Sequence, residues 1–98
     1  MRDFTFHPEA LVEFKAEVAY YEAITPGLGA DFSERVFTIV DLARQFPAMG
    51  VPEGDGVRSL LTQRFPFVIY YEEVRATVFV WAVMHAAREP GYWHTRRT

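Results

Sequence analysis

The spacing of apolar and polar positions changes along the chain, and each change predicts an element. Asp3-Phe4-Thr5-Phe6-His7 alternates polar and aromatic residues, the period of a half-buried strand. Pro8 ends that alternation and suits a helix N1 position, with Glu9 as a first-turn acid. Leu11, Phe14, Val18 and Tyr21 then recur at steps of 3, 4 and 3, which stripes one face of a helix. Thr25-Pro26-Gly27 stops it, because proline clashes with a continuing turn and glycine supplies the reversal. Phe32, Val36, Ile39, Ala43 and Phe46 stripe a second helix, closed by Phe46-Pro47. A short link between two striped helices predicts an antiparallel αα-hairpin, and both stripes need a partner layer.

The rest of the chain supplies that layer. Residues 47–56 hold two prolines and three glycines and read as a loop. Three β-type runs follow, Val57–Gln63, Phe65–Glu72 and Thr77–His85, with connections short enough for an antiparallel meander. The last run is apolar at both parities, so it should be central and covered on both faces. The helical hairpin is one cover; the C-terminal tail or a partner chain is the other. The expected order is β-α-α-β-β-β, an α+β fold with a helical hairpin packed on an antiparallel sheet, forming one domain over residues 1–98.

Composition narrows the function. With 98 residues, 50% of them apolar and 16% aromatic, the chain holds one packed core and is no disordered linker. There are no cysteines, which excludes a disulfide framework, thiol catalysis and Cys-ligated zinc. No apolar run approaches the roughly 20 residues of a membrane span. The start Met1-Arg2-Asp3-Phe4 lacks a signal-peptide core, so a soluble cytoplasmic domain is expected, with no membrane contact. Net charge is −3 but unevenly spread. Residues 1–55 carry ten acids against four bases, while residues 56–98 carry three acids against six arginines. The chain as a whole is not basic, which argues against a general nucleic-acid binder.

Most site motifs are absent: no phosphate loop, no G-x-S-x-G elbow, no H-E-x-x-H helix. His7, His85 and His94 are too scattered to form a metal constellation, so neither metal nor cofactor is expected. What remains is the tail after the last strand. There His85, Arg88, Tyr92, Trp93, Arg96 and Arg97 fall close together, and Pro90-Gly91 bends the chain so that His85, Arg88 and Tyr92 can converge at one sheet edge. Arginine offers bidentate contacts to phosphate or carboxylate, histidine moves protons near neutral pH, and tyrosine and tryptophan stack or anchor. Such a set suits RNA, an acidic peptide or another protein.

The tail His85-x-x-Arg88-x-Pro90-x-Tyr92-Trp93-x-x-Arg96 resembles the end of RelE/ParE-family toxins of bacterial type II toxin–antitoxin modules. The resemblance extends to Arg58-Ser59-Leu60, to Phe65-Pro66-Phe67-Val68-Ile69-Tyr70-Tyr71, to the strand Thr77–Val83 and to the element order. It implies a growth-inhibiting, plasmid-stabilising type of toxin that forms a hetero-oligomer with a cognate antitoxin. RelE-like members cleave mRNA in the ribosomal A site, whereas ParE-like members act on DNA gyrase. The middle meander strand has no arginine, and Ala86-Ala87 stand where RelE-like members keep basic residues. The chain therefore resembles the ParE-like branch, a non-catalytic gyrase inhibitor. The alternatives are a ribosome-dependent endoribonuclease and a non-toxic member that still binds antitoxin.

For a nuclease, His85 would be the general base, Arg88 the phosphate contact and Tyr92 the acid or stacking surface. Otherwise His85 caps the strand end, and Tyr92 and Trp93 dock the tail. Arg58, Arg88 and Arg96 are target or partner contacts, or salt-bridge residues. Val12, Tyr20, Phe37 and Val40 widen the helix stripes, as a groove for an antitoxin helix, as a homodimer face or as scattered surface residues. Glu13, Glu17 and Glu22 read as a solvated face.

Overall fold

The structure, a computed structural model, describes residues 2–97. Strand β1 (Asp3–Phe6) leads into helix α1 (Pro8–Ile24) and helix α2 (Leu28–Gln45). A short 3-10 turn (Pro47–Met49) follows, then β2 (Val51–Gly54), β3 (Val57–Leu61), β4 (Phe67–Val74) and β5 (Thr77–His85), and a second 3-10 turn (His94–Arg97). The sheet order is β1-β5-β4-β3-β2. Strands β2 to β5 pair antiparallel, whereas β1 lies parallel to β5 on its outer side.

Local chemistry explains the breaks. His7 caps α1 through Nδ1, which accepts the Glu9 N–H at 3.1 Å. Between the helices Gly27 takes a left-handed φ of 89°. The Glu22 carboxylate accepts the N–H groups of Gly27 and Gly29, satisfying free donors at the start of α2. Gly29 is buried, and a Cβ there would stand 2.5 Å from the Val18 carbonyl oxygen. Its missing side chain is what lets the two helices cross so closely.

The core has two layers. Phe14, Phe32, Val36, Ile39, Val40 and Ala43 from the helices meet Phe65, Phe67, Ile69, Tyr71, Val78, Val80 and Val83. On the opposite face Val57, Tyr70, Ala82 and Met84 close around Trp93. The second cover of the central strand is therefore the C-terminal tail. Both parities of β5 are apolar partly because the strand bulges: the register on β4 slips between Tyr70, opposite Ala82, and Tyr71, opposite Val80, leaving Trp81 over. Helix-facing residues switch there from Val78 and Val80 to Val83, and tail-facing ones become Ala82 and Met84.

Several expectations need correction. Residues 51–54 form an edge strand rather than loop; all four are exposed, and Pro52 is tolerated because an edge position leaves one side of the backbone unpaired. The run through Gln63 breaks at Leu61, where Thr62 turns its hydroxyl onto the Phe65 carbonyl and Arg64 takes a φ of 73°. β4 accordingly starts at Phe67 rather than Phe65, and runs on to Val74. Phe46 is not core but 59% exposed, because α2 ends one residue earlier and Phe46, as its C-cap, has left the helical path.

Candidate functional site

β1 pairs with β5 only as far as Val80, since Pro8 turns the chain into α1. Beyond that point the outer peptide groups of β5 face no strand, and side chains replace it. The Val83 N–H donates to Glu13 Oε1 at 3.2 Å, and the Trp81 carbonyl accepts Arg96 Nη1 at 2.9 Å. Glu13, in the second turn of α1, is the hub. Its carboxylate accepts Arg96 Nη1 at 3.0 Å and Nη2 at 2.7 Å, and the Tyr92 hydroxyl at 2.6 Å. Arg96 also pairs through Nε with Glu9 at 3.0 Å. Glu13 and Arg96 side chains are only 14% and 8% exposed.

The electrostatics follow from that geometry. Burial pushes the Glu13 carboxyl up, but hydrogen bonds from Arg96, Tyr92 and Val83, together with the Arg96 charge, outweigh it and hold the group below the usual carboxylate range. Tyr92 moves the other way: burial, then its bond to the Glu13 carboxylate, raise its phenol well above the ordinary tyrosine value. A tyrosine so held keeps its proton. The hydrogen bond to Glu13 chiefly raises the already charged Arg96 guanidinium further.

The structure distributes the sequence-selected residues unevenly. Arg88, Tyr92 and Arg96 gather on Glu13, with the Arg88 guanidinium lying 3.5 Å above the Tyr92 ring centre and a 3.5 Å contact to Glu13 Oε2. His85 does not join them. It is exposed at the end of β5, its Nδ1 accepts the Ala87 N–H at 3.0 Å, and it borders a hollow with Glu17, Tyr20, Tyr21 and Ile24, a helical turn further along α1. Trp93 is 3% exposed and packs on Tyr70, their ring centres 4.9 Å apart. Arg58 donates to the Gly50 carbonyl at 2.8 Å beside Tyr71, a bond that pins the chain ahead of β2. Arg97 pairs with Glu72 at 3.1 Å.

The groove residues also separate. Val12 and Tyr20 are exposed on α1, but Val40 is 1% exposed and Phe37 packs on the core, so these four line no common groove. Their stripe is wide because α2 touches both the sheet and α1. Glu13 is not a solvated face residue but the hub of the tail, whereas Glu22 is exposed as expected and also caps α2. The signal for Glu13 lay in its spacing, since Glu9, Glu13 and Glu17 recur every four residues opposite a tail rich in arginine.

A helical hairpin on a mixed five-stranded sheet is a fold shared with a solved chain of a toxin–antitoxin system. The structure matches a chain of the chromosomal ParDE TA system from P. aeruginosa with a TM-score of 0.73, at 18% identity, covering 87% of this chain and 96% of that one. No curated protein sequence matches the chain. The model of the family described as ParE toxin of type II toxin-antitoxin system, parDE, matches residues 4–90. This chain belongs to the ParE toxin family. The match ends just before Gly91, so Tyr92, Trp93 and Arg96 lie beyond it.

Proposed function

We propose that this toxin acts by binding DNA gyrase and inhibiting it, with no bond-breaking step of its own, and that a cognate antitoxin silences it by forming a hetero-oligomer. The observation that carries this reading is the commitment of Tyr92 and Arg96 to Glu13. An endoribonuclease built on the tail needs an acid that gives up its proton and a cation facing the scissile phosphate. Tyr92 holds its proton against Glu13 and His85 stands apart from it, so Arg88, the exposed phosphate contact of that reading, lacks a working acid and base. The net charge of −3 also suits a protein target better than ribosomal RNA. No helix among the described residues is long and apolar enough to cross a membrane, and the cytoplasm, where gyrase works, is the proposed location.

The test is titration of the purified chain into a gyrase reaction. Loss of supercoiling with cleaved DNA trapped on the enzyme is the expected result. Unaffected gyrase, from a preparation that still arrests growth when expressed, would sink the proposal and turn the search to ribosome-bound mRNA.

A further inference from the structure

The tail brings three arginines near one end of the sheet, and the fold uses two of them internally. Arg96 is nearly buried on Glu13, Glu9 and the Trp81 carbonyl, and Arg97 is paired with Glu72 and the Asp55 carbonyl. Arg88 differs. Its side chain is 52% exposed, in a segment, 85–90, in which every residue is exposed. Its contact with Glu13 Oε2 is long, and that oxygen already takes Tyr92 and Arg96 at 2.6 and 2.7 Å. What orders Arg88 is the Tyr92 ring beneath its guanidinium. Stacking leaves the in-plane N–H donors of a guanidinium free, in the fork that matches a carboxylate or phosphate.

The surroundings choose between those two anions. Arg96 and Arg97 are taken up by Glu9, Glu13 and Glu72, which leaves Arg88 as the one exposed guanidinium among the described residues of the tail. A nucleic-acid backbone presents closely spaced phosphates and is bound by several cations together. A single ordered guanidinium matches a single carboxylate. We infer that Arg88, laid on Tyr92 and positioned through Glu13, is the residue by which this toxin grips an aspartate or glutamate side chain on its protein target. The inference deepens the binding-inhibitor reading above and rests on it.

Arg88→Ala and Arg88→Lys in the full chain test it, because an exposed position leaves the melting temperature close to wild type. Binding to purified gyrase without DNA should weaken about 30-fold for the alanine variant, the scale of a hot-spot arginine. Lysine should recover only part, since it lacks the planar fork. Growth arrest on expression should fall in the same order. Full potency of Arg88→Ala in both assays overturns the inference, as does an effect of Arg88 seen only when DNA is present, which would assign the contact to phosphate. If wild type leaves gyrase unbound, the gyrase reading falls alone. Growth arrest then decides, with loss in a folded Arg88→Ala variant supporting the contact and retention overturning it.

Discussion

Tyr92 donates its hydroxyl proton to Glu13 across 2.6 Å, joining the C-terminal tail to the first helix over a sequence separation of 79 residues. The same carboxylate takes Arg96 and a β5 peptide group, so one side chain from α1 seals the strand edge that β1 leaves open.

Replacing Glu13 by Ala should therefore cost about 3 kcal/mol of folding stability, because it leaves Arg96 largely buried without its main counter-charge. Glu13→Gln should cost less, since its carbonyl still accepts from Tyr92 or Arg96. Urea unfolding of the three proteins measures both. A loss below about 0.5 kcal/mol in Glu13→Ala, the range of an ordinary surface change, would show that the hub adds little.

Stability should also fall in acid through this group. The folded Glu13 carboxyl titrates below its ordinary value of 4.5, so the unfolded chain takes up the proton first as pH drops. The stabilisation is fully present above that value and disappears as pH falls through the lower, folded pKa. Urea midpoints measured between neutral pH and pH 3 should drop more steeply for wild type than for Glu13→Gln. Parallel curves would remove Glu13 as a source of the acid sensitivity.

At the helix crossing, Gly29→Ala should destabilise by about 1–3 kcal/mol despite the better helix propensity of alanine. The added methyl would meet the Val18 carbonyl at 2.5 Å and the Glu22 Cβ at 2.9 Å, and backbone cannot swing aside as a flexible side-chain end can. Thermal unfolding of the variant checks the sign, which propensity alone would place the other way.

The β4–β5 hairpin offers the opposite case. Arg75 and Ala76 join Val74 to Thr77 with φ values of 51° and 63°, a two-residue turn of the kind that favours Asn-Gly. An L-alanine in that region is strained by about 1 kcal/mol. Ala76→Gly should accordingly raise stability by about 0.5–1 kcal/mol, seen as a higher urea midpoint with an unchanged slope.

Much of this architecture was legible as periodicity. The stripes of Phe14 and Val18 and of Phe32, Val36, Ile39 and Ala43 sit where the 3.6-residue repeat places them, and β5 carries the apolar run of a strand covered twice. β2 escaped notice because an exposed edge strand has no apolar face to reveal it, and its proline and glycines read as turn. In the site, residue types were readable but their directions were not. Trp93 and Arg96 look alike as tail anchors or as target contacts until the fold turns them inward. Glu13 was hidden because an acid on a helix face is usually solvated, and only the ending of β1 at Phe6 makes it an edge-sealing group.

The bulge at Trp81 puts β5 in two phases. Upstream of it the even-numbered residues Val78 and Val80 belong to the helical core; downstream, Val83 does, and Ala82 and Met84 form the seat of Trp93. Loss of Trp81 would let Val80 and Ala82 follow in ordinary alternation opposite Tyr71 and Tyr70, leaving Val83 on the helical core, but it would remove the carbonyl that accepts Arg96 and the extra twist that the bulge gives the strand. The strand would still pair, but the tail that carries Arg88 would lose one of its moorings. The one extra residue of β5 is thus part of what positions Arg96 and the tail around it.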